Sequence, residues 1–217
     1  DFRDSYEVTG WPDTIWLTEQ TRTDEEMALF GEVSFDIFDN LTTTLGVRSF
    51  KTENSLFGFF GFGAGFSGST GEAACFAGPF RSAPCTNLDE GTDESGELYR
   101  ANIEWNLDDD RMLYATYSEG FRPGGINRRA TQPPYIADYL DNFEIGWKTD
   151  WADGRLRWNG AIFHEVWEDF QFAFLGQSGL TEIQNAGDAE IDGIETDLTW
   201  APVHGLVFTA AATWLDT

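Results

Sequence analysis

Apolar and polar residues alternate along much of this chain, which is the pattern of β-strands that have one apolar and one polar face. In the segment 98–107 every odd position is apolar, and the even positions after Leu98 carry Arg, Asn, Glu and Asn. Similar alternation recurs along the chain and is weaker in three of the segments. The sequence predicts eight strands, near residues 27–38, 41–51, 97–107, 111–121, 140–151, 155–167, 187–200 and 206–216.

The connections between these strands are alternately short and long. Short turns separate the members of each strand pair, whereas long links occupy roughly 52–96, 122–139 and 168–186. Outer-membrane barrels have this arrangement, with short periplasmic turns and longer extracellular loops. The predicted fold class is therefore all-β, an antiparallel up-and-down transmembrane β-barrel.

Four tryptophans lie close to predicted short turns, and their parity places all of them on the apolar face: Trp105, Trp151, Trp158 and Trp200. In a membrane barrel they would form an aromatic girdle at one interface. The alternative is tryptophan packed in a soluble core, although a core would not favour one end of the strands.

The same parity predicts which side chains face lipid and which face the lumen. Outward positions are Leu29, Val33, Ile103, Trp105, Phe143, Ile145 and Ile162. Inward positions are Arg48, Arg100, Glu104, Glu144, Lys148 and Arg157. A closed eight-stranded barrel has little interior space for so many charges. We therefore expect the first and last strands not to pair with each other.

Composition excludes several classes of protein. The 217 residues include 38 acidic and 13 basic side chains, a net charge of −25, which disfavours nucleic-acid binding. Long apolar runs typical of membrane helices are absent from the sequence. Two histidines without a nucleophile motif offer no catalytic triad, so we expect no enzyme, and we predict no cofactor or metal.

Residues 114–127, YATYSEGFRPGGIN, resemble a TonB-dependent outer-membrane receptor. Three further stretches resemble barrel segments of that family, in the same order: 28–48, 142–148 and 185–195. The resemblance implies a 22-stranded barrel with an N-terminal plug, to which this chain would contribute about eight middle strands. On this interpretation, residues 1–217 are a partial barrel domain, and the plug and its energy-coupling segment are absent from the sequence.

The resemblance also implies a function and a location. A TonB-dependent receptor of this type lies in the bacterial outer membrane and takes up a nutrient, here a ferric siderophore. Its partners would be outer-membrane lipid, the small-molecule ligand and, through the missing plug, the TonB complex. Alternatives are a passive porin-like or adhesin barrel and a soluble secreted carbohydrate-binding β-sandwich.

The long links contain the candidate ligand-binding residues. Arg122, Arg128 and Arg129 suit bidentate recognition of carboxylate or catecholate oxygens, although they could instead pair with nearby acids. An aromatic stretch opens the longest link with Phe57, Phe59, Phe60 and Phe62. These rings could contact a ligand, the plug or a lid protein, or could pack as a strand extension.

The same long link contains two further features. Cys75 and Cys85 lie in a Gly-, Pro- and Ala-rich segment whose spacing suits a small surface disulfide, the alternative being two free thiols. An acidic run follows, comprising Asp89, Glu90, Asp93, Glu94 and Glu97. Such a run is either a solvated loop or a set of carboxylate ligands for Ca²⁺.

Overall fold

The computed structural model describes residues 16–62, 86–129, 131–176 and 181–217. Within these ranges the chain forms strands β1 Trp16–Phe38, β2 Leu41–Phe62, β3 Leu88–Asp108, β4 Arg111–Arg122, β5 Asp138–Trp151, β6 Leu156–Glu168, β7 Gln171–Leu175, β8 Thr181–Asn185, β9 Ala189–Val203 and β10 Leu206–Asp216. Eight of them form one antiparallel sheet in the order β1-β2-β3-β4-β5-β6-β9-β10, and β7 and β8 form a separate hairpin.

The register of the large sheet separates apolar from polar side chains. One row of directly opposed residues crosses all eight strands: Phe35, Thr43, Ile103, Ala115, Ile145, Ile162, Ile194 and Trp214. Opposed residues of a sheet share a face, and side chains alternate along each strand. The apolar side chains of all eight strands therefore lie on the same side of the sheet and form one continuous apolar face.

This apolar face is uncovered in the described part of the chain. Leu29 is 79% exposed, Ile145 66% and Ile162 56%, and the seven predicted outward residues all share this face. A β-sandwich would bury these side chains against a second sheet. The sandwich interpretation is therefore wrong for the described chain, and the up-and-down antiparallel partial barrel is confirmed. Among the described residues, no helix is long and apolar enough to cross a membrane.

The opposite face is polar and carries ion pairs between strands of the sheet. The Arg100 guanidinium lies 3.3 Å from the Glu32 carboxylate, and Arg48 pairs with Glu26. Lysine 148 places its ammonium 5.6 Å from the centre of the Tyr114 ring. All six charged residues that were predicted to face the lumen lie on this face: Arg48, Arg100, Glu104, Glu144, Lys148 and Arg157.

The sheet has two open edges. In the described chain, β1 pairs with β2 and β10 pairs with β9, and no hydrogen bond joins 27–38 to 206–216. The expectation that the first and last strands do not pair is confirmed. Each edge exposes unpaired backbone groups that further strands of a larger barrel would satisfy.

Two features extend beyond the predicted strands. Strands β1, β2 and β3 have 23, 22 and 21 residues, whereas β4 has 12. A transmembrane strand needs about 9–11 residues, so the first three strands continue well past a bilayer-spanning length. The hairpin β7–β8 lies inside the predicted long link 168–186. We call the end of the sheet with these extensions the loop end and the opposite end the turn end.

Three glycines of the sheet lie directly opposite large rings. Gly146 pairs with Tyr114, Gly160 with Trp147, and Gly193 with Phe163. A Cβ at Gly146 would lie 2.4 Å from Cζ of the tyrosine, and comparable clashes would occur at the other two positions. Because glycine has no side chain, the ring on the neighbouring strand can occupy the space above it.

We predict that Gly146→Val destabilises the full-length protein by about 1–3 kcal/mol, because the Tyr114 ring must leave its present position. Urea-induced unfolding in detergent would measure the change. Gly120→Val is the matched control, since nothing lies within 4 Å of a Cβ at Gly120 in the interior strand β4. Equal unfolding midpoints for the two variants would contradict this explanation.

Candidate functional site

The β4–β5 loop, residues 123–137, folds onto the polar face of the extended strands β1–β3. Ile126, 2% exposed, packs with Leu56 and Leu88 in a small apolar cluster. On the same side, Arg22 donates a hydrogen bond of 3.3 Å to the Tyr135 hydroxyl. The loop consequently lies on the side of the sheet that carries the lumen-facing charges.

Glu94 fixes both arms of this loop. Its carboxylate accepts hydrogen bonds from the amides of Gly124 at 3.0 Å and Ala137 at 2.7 Å. Inside these contacts, Gly125 and Tyr135 exchange two backbone hydrogen bonds of 2.9 Å. A side chain at Gly124 would lie 2.5 Å from the Tyr135 carbonyl oxygen, so the close approach of the two arms requires glycine.

Glu94 belongs to the acidic run, which is part of strand β3 rather than a loop. Asp89, Asp93 and Glu97 alternate with Glu90 and Glu94 along this strand, so the run is divided between two faces. In the described part of the chain, no group of three or more His, Cys, Asp or Glu residues could hold a metal ion.

Arg122 and Asp138 form a pair at the base of the loop. They are directly opposed in the β4–β5 register, and a guanidinium nitrogen donates a hydrogen bond of 2.5 Å to the carboxylate. Asp138 is 1% exposed and also accepts a 3.0 Å hydrogen bond from the backbone N–H of Gln171. This pair joins the loop to the β7–β8 hairpin. The acid pairing that the sequence left open is thus present for Arg122.

The other two loop arginines differ in their surroundings. Arg129 lies 3.6 Å from the carboxylate of Glu182 on β8. Arg128 is exposed, and its side chain makes no ion pair with any residue that the structure describes, while its carbonyl accepts a 3.0 Å hydrogen bond from Gln20. Arg128 is therefore the predicted ligand-binding arginine whose guanidinium is available to an incoming anion.

Arg22, below the loop, stays cationic despite partial burial. Burial acts to lower the pKa of its guanidinium, but hydrogen bonds and Coulomb attraction from Tyr135 and Asp24 outweigh burial, so the pKa is raised above its usual value. Its carboxylate partner Asp24 in turn accepts a hydrogen bond from the Asn54 amide. The floor beneath the loop is thus a paired polar network.

An aromatic ladder that sequence reasoning missed runs from the end of β6 into β7. The ring centroids of Trp167 and Phe170 are 4.5 Å apart. Those of Phe170 and Phe172 are 6.5 Å apart, and those of Phe172 and Phe174 are 6.1 Å apart. The Arg122 guanidinium lies 5.6 Å from the Trp167 ring, at the base of this ladder. The available signal was phenylalanine at every second residue, which alternation within a short segment could have identified.

The predicted phenylalanines are divided between surface and interior. Phe57 is half exposed, whereas Phe59 and Phe60 are buried. The backbone of Phe60 exchanges two hydrogen bonds with the Asn87 side chain. The side chain of Phe62 and the predicted disulfide of Cys75 with Cys85 lie outside the described residues.

At the turn end, the four predicted girdle tryptophans lie on the apolar face and are each roughly half exposed: Trp105, Trp151, Trp158 and Trp200. Trp158 donates a 2.8 Å hydrogen bond to the Thr196 hydroxyl, and the Arg111 guanidinium lies 5.1 Å from the Trp151 ring. Polar partners beside an apolar ring suit a membrane interface. Their role as a girdle remains a prediction.

Comparison with known proteins identifies the class to which this arrangement belongs. The family model "TonB dependent receptor-like, beta-barrel" matches residues 1–217. The chain therefore belongs to the TonB-dependent receptor β-barrel family, which the sequence resemblance indicated.

Curated relatives match part of the chain. The pesticin receptor of Yersinia enterocolitica is 29% identical over 107 residues, which are 48% of this chain and 16% of the relative. The ferric-pyoverdine 358 receptor of Pseudomonas putida is 28% identical over 114 residues, 50% of this chain and 14% of the relative. This chain thus spans only a small part of the length of these relatives.

Solved structures share the fold over most of the chain. The ferric yersiniabactin uptake receptor FyuA from Yersinia pestis superposes with a TM-score of 0.69 at 20% identity, covering 90% of this chain and 27% of that one. The copper transporter OprC gives a TM-score of 0.67 at 16% identity, covering 90% and 30%. At these identities the likeness concerns the fold alone.

We predict that Arg122→Gln loosens the base of the β4–β5 loop, because it leaves the buried Asp138 carboxylate without its cation. The free energy of local opening should fall by about 1–3 kcal/mol, measured as faster amide hydrogen exchange across 122–138 in the full-length receptor. Arg128→Gln is the matched control and should leave the exchange unchanged. Equal exchange in both variants would show that the pair does not hold the loop.

Proposed function

We propose that this chain forms part of an outer-membrane receptor that takes up a ferric siderophore, with energy supplied by the TonB complex acting on a plug domain. The match of the whole chain to the TonB-dependent receptor family is the observation that carries the proposal. Relatives named as a ferric-pyoverdine receptor and a siderophore receptor support the choice of ligand class. The proposed activity consists of binding and transport, without covalent chemistry.

The two faces of the sheet suit this function. The apolar row from Phe35 to Trp214 would contact the acyl chains of the outer membrane, and the tryptophans at the turn end would lie at the periplasmic interface. The polar face would line the lumen around the plug. The loop end, with its extended strands and hairpin, would then be extracellular and would receive the ligand.

The loop end offers groups that match an anionic ferric chelate. Arg128 presents an exposed guanidinium, a group that binds oxygen anions through two parallel hydrogen bonds. Phe172 is half exposed and offers apolar surface to the organic part of a chelate, whereas Phe57, also half exposed, lies on the face of β2 opposite to Leu56 and the loop. Arg122 and Arg129 lie nearby but are already engaged with Asp138 and Glu182. We accordingly assign the direct ligand contact to Arg128.

A transport experiment tests the proposal on the full-length receptor, expressed in iron-limited bacteria with and without TonB. The probes are radiolabelled ferric yersiniabactin and ferric pyoverdine. We expect uptake of at least one chelate that disappears without TonB, while binding to the cell surface persists. Uptake that is unchanged without TonB would indicate a passive barrel, and the absence of binding and uptake for both probes would contradict the proposed ligand class.

We predict that Arg128→Ala weakens binding of the transported chelate at least about tenfold, because a charge-assisted hydrogen bond contributes about 1.5–3 kcal/mol. The dissociation constant, measured on purified receptor, reports the change. Arg155→Ala is the matched control, since Arg155 is exposed in the β5–β6 turn at the opposite end of the sheet. Equal affinities of the two variants would remove Arg128 from the site.

A further inference from the structure

Three asparagine side chains at the loop end make the same pair of contacts. Each amide donates to the carbonyl and accepts from the N–H of a single residue, an arrangement that we call an amide clamp. The clamps join Asn87 to Phe60 at 2.7 and 2.9 Å, Asn127 to Ile183 at 3.0 and 3.0 Å, and Asn185 to Ile136 at 3.0 and 3.0 Å. An amide group carries the same donor and acceptor as a peptide, so each clamp replaces the contact of a neighbouring strand.

Two of the clamps connect the same two elements in opposite directions. Asn127 of the β4–β5 loop holds β8 at Ile183, and Asn185 of β8 holds the loop at Ile136. The Asn127 side chain is buried and donates a further hydrogen bond of 2.9 Å to the Pro133 carbonyl. Both arms of the loop are therefore joined to strand β8.

Gln171 strengthens the connection at the base of the hairpin. This buried side chain donates to the Arg122 carbonyl at the end of β4, at 3.2 Å, and to the loop carbonyls of Pro123 and Ile136, each at 3.0 Å. Together with the clamps, it satisfies backbone groups that would otherwise be unpaired.

The hairpin depends on these contacts because it does not belong to the large sheet. Strands β7 and β8 pair only with each other among the described strands. They leave the sheet through Asp169 and Gly187, which have positive φ values of 52° and 106° and redirect the chain. The position of the hairpin is then set largely by the side chains that hold it to the loop.

We infer that the β4–β5 loop and the β7–β8 hairpin act as one ligand-binding unit, in which Asn127 positions the adjacent Arg128 for an anionic chelate. The part concerning the ligand rests on the proposed function. Asn127 fixes the backbone immediately before Arg128, while Gln20 holds the Arg128 carbonyl on the other side. Release of the Asn127 clamp would leave the guanidinium free to sample positions away from the ligand.

The test uses Asn127→Asp in the full-length receptor. The aspartate has nearly the same shape and can still accept from the Ile183 amide, but its carboxylate cannot donate to the carbonyls of Ile183 and Pro133. Asn87→Asp is the matched control, because it makes the same change in a clamp between β2 and the segment preceding β3.

Amide hydrogen exchange tests the mechanical half of the inference. We expect Asn127→Asp to accelerate exchange at least about tenfold in the loop and also in β7, although the hydrogen bonds of Asn127 in the described chain go to Pro133 and Ile183. The control should change neither segment. Acceleration confined to residues 123–137, with β7 unchanged, would overturn the single unit.

A double-mutant cycle tests the positioning half. Using the chelate that the receptor transports, we expect Asn127→Asp and Arg128→Ala each to weaken binding about tenfold, and the double variant to be little weaker than Arg128→Ala alone. Independent effects that multiply to about a hundredfold would overturn the positioning role. If the unaltered receptor binds neither probe, the proposed function and the positioning role both fail, whereas the exchange result still decides whether loop and hairpin form one unit.

Discussion

Cross-strand register is the constraint on which the rest of this structure depends. Side chains alternate with a period of two, so a slip of one residue between two strands would move an entire apolar set to the polar face. In the observed register, Ile103 opposes Ala115 and Ile145 opposes Ile162, whereas Glu104 opposes Tyr114 on the other face. Glycines such as Gly146 reinforce the register, because the opposing ring has room only at that position.

The same register explains how much of the fold could be predicted from the sequence. In the part of the sheet that has one continuous apolar face, alternation marked strands such as β5 and β6 to within a few residues. Beyond that part both faces meet water or loops, and the acidic residues around Glu94 no longer alternate with apolar ones. Hydrophobic periodicity therefore could not distinguish the extended strands from a solvated loop.

Less of the candidate site could be predicted, because its contacts join residues that are distant in sequence. Arg122 and Asp138 are 16 positions apart, and only the β4–β5 register brings them together. Sequence composition identified three loop arginines but could not distinguish the two with carboxylate partners from Arg128. The amide clamps are equally invisible to local patterns, since asparagine in a loop is usually taken as a turn residue.

The strongly acidic composition places a particular demand on the ligand site that we propose. A net charge of −25 repels an anionic chelate at long range, yet the Debye length at physiological ionic strength is about 8 Å, so most of this repulsion is screened until the ligand is close. Recognition must then depend on short-range contacts with correctly oriented donors. A single exposed guanidinium provides such contacts only if its backbone is held in place. The side-chain amides of Asn127 and Gln20 do this without adding charge, whereas further basic residues in the loop would pair with the surrounding carboxylates instead of binding the ligand.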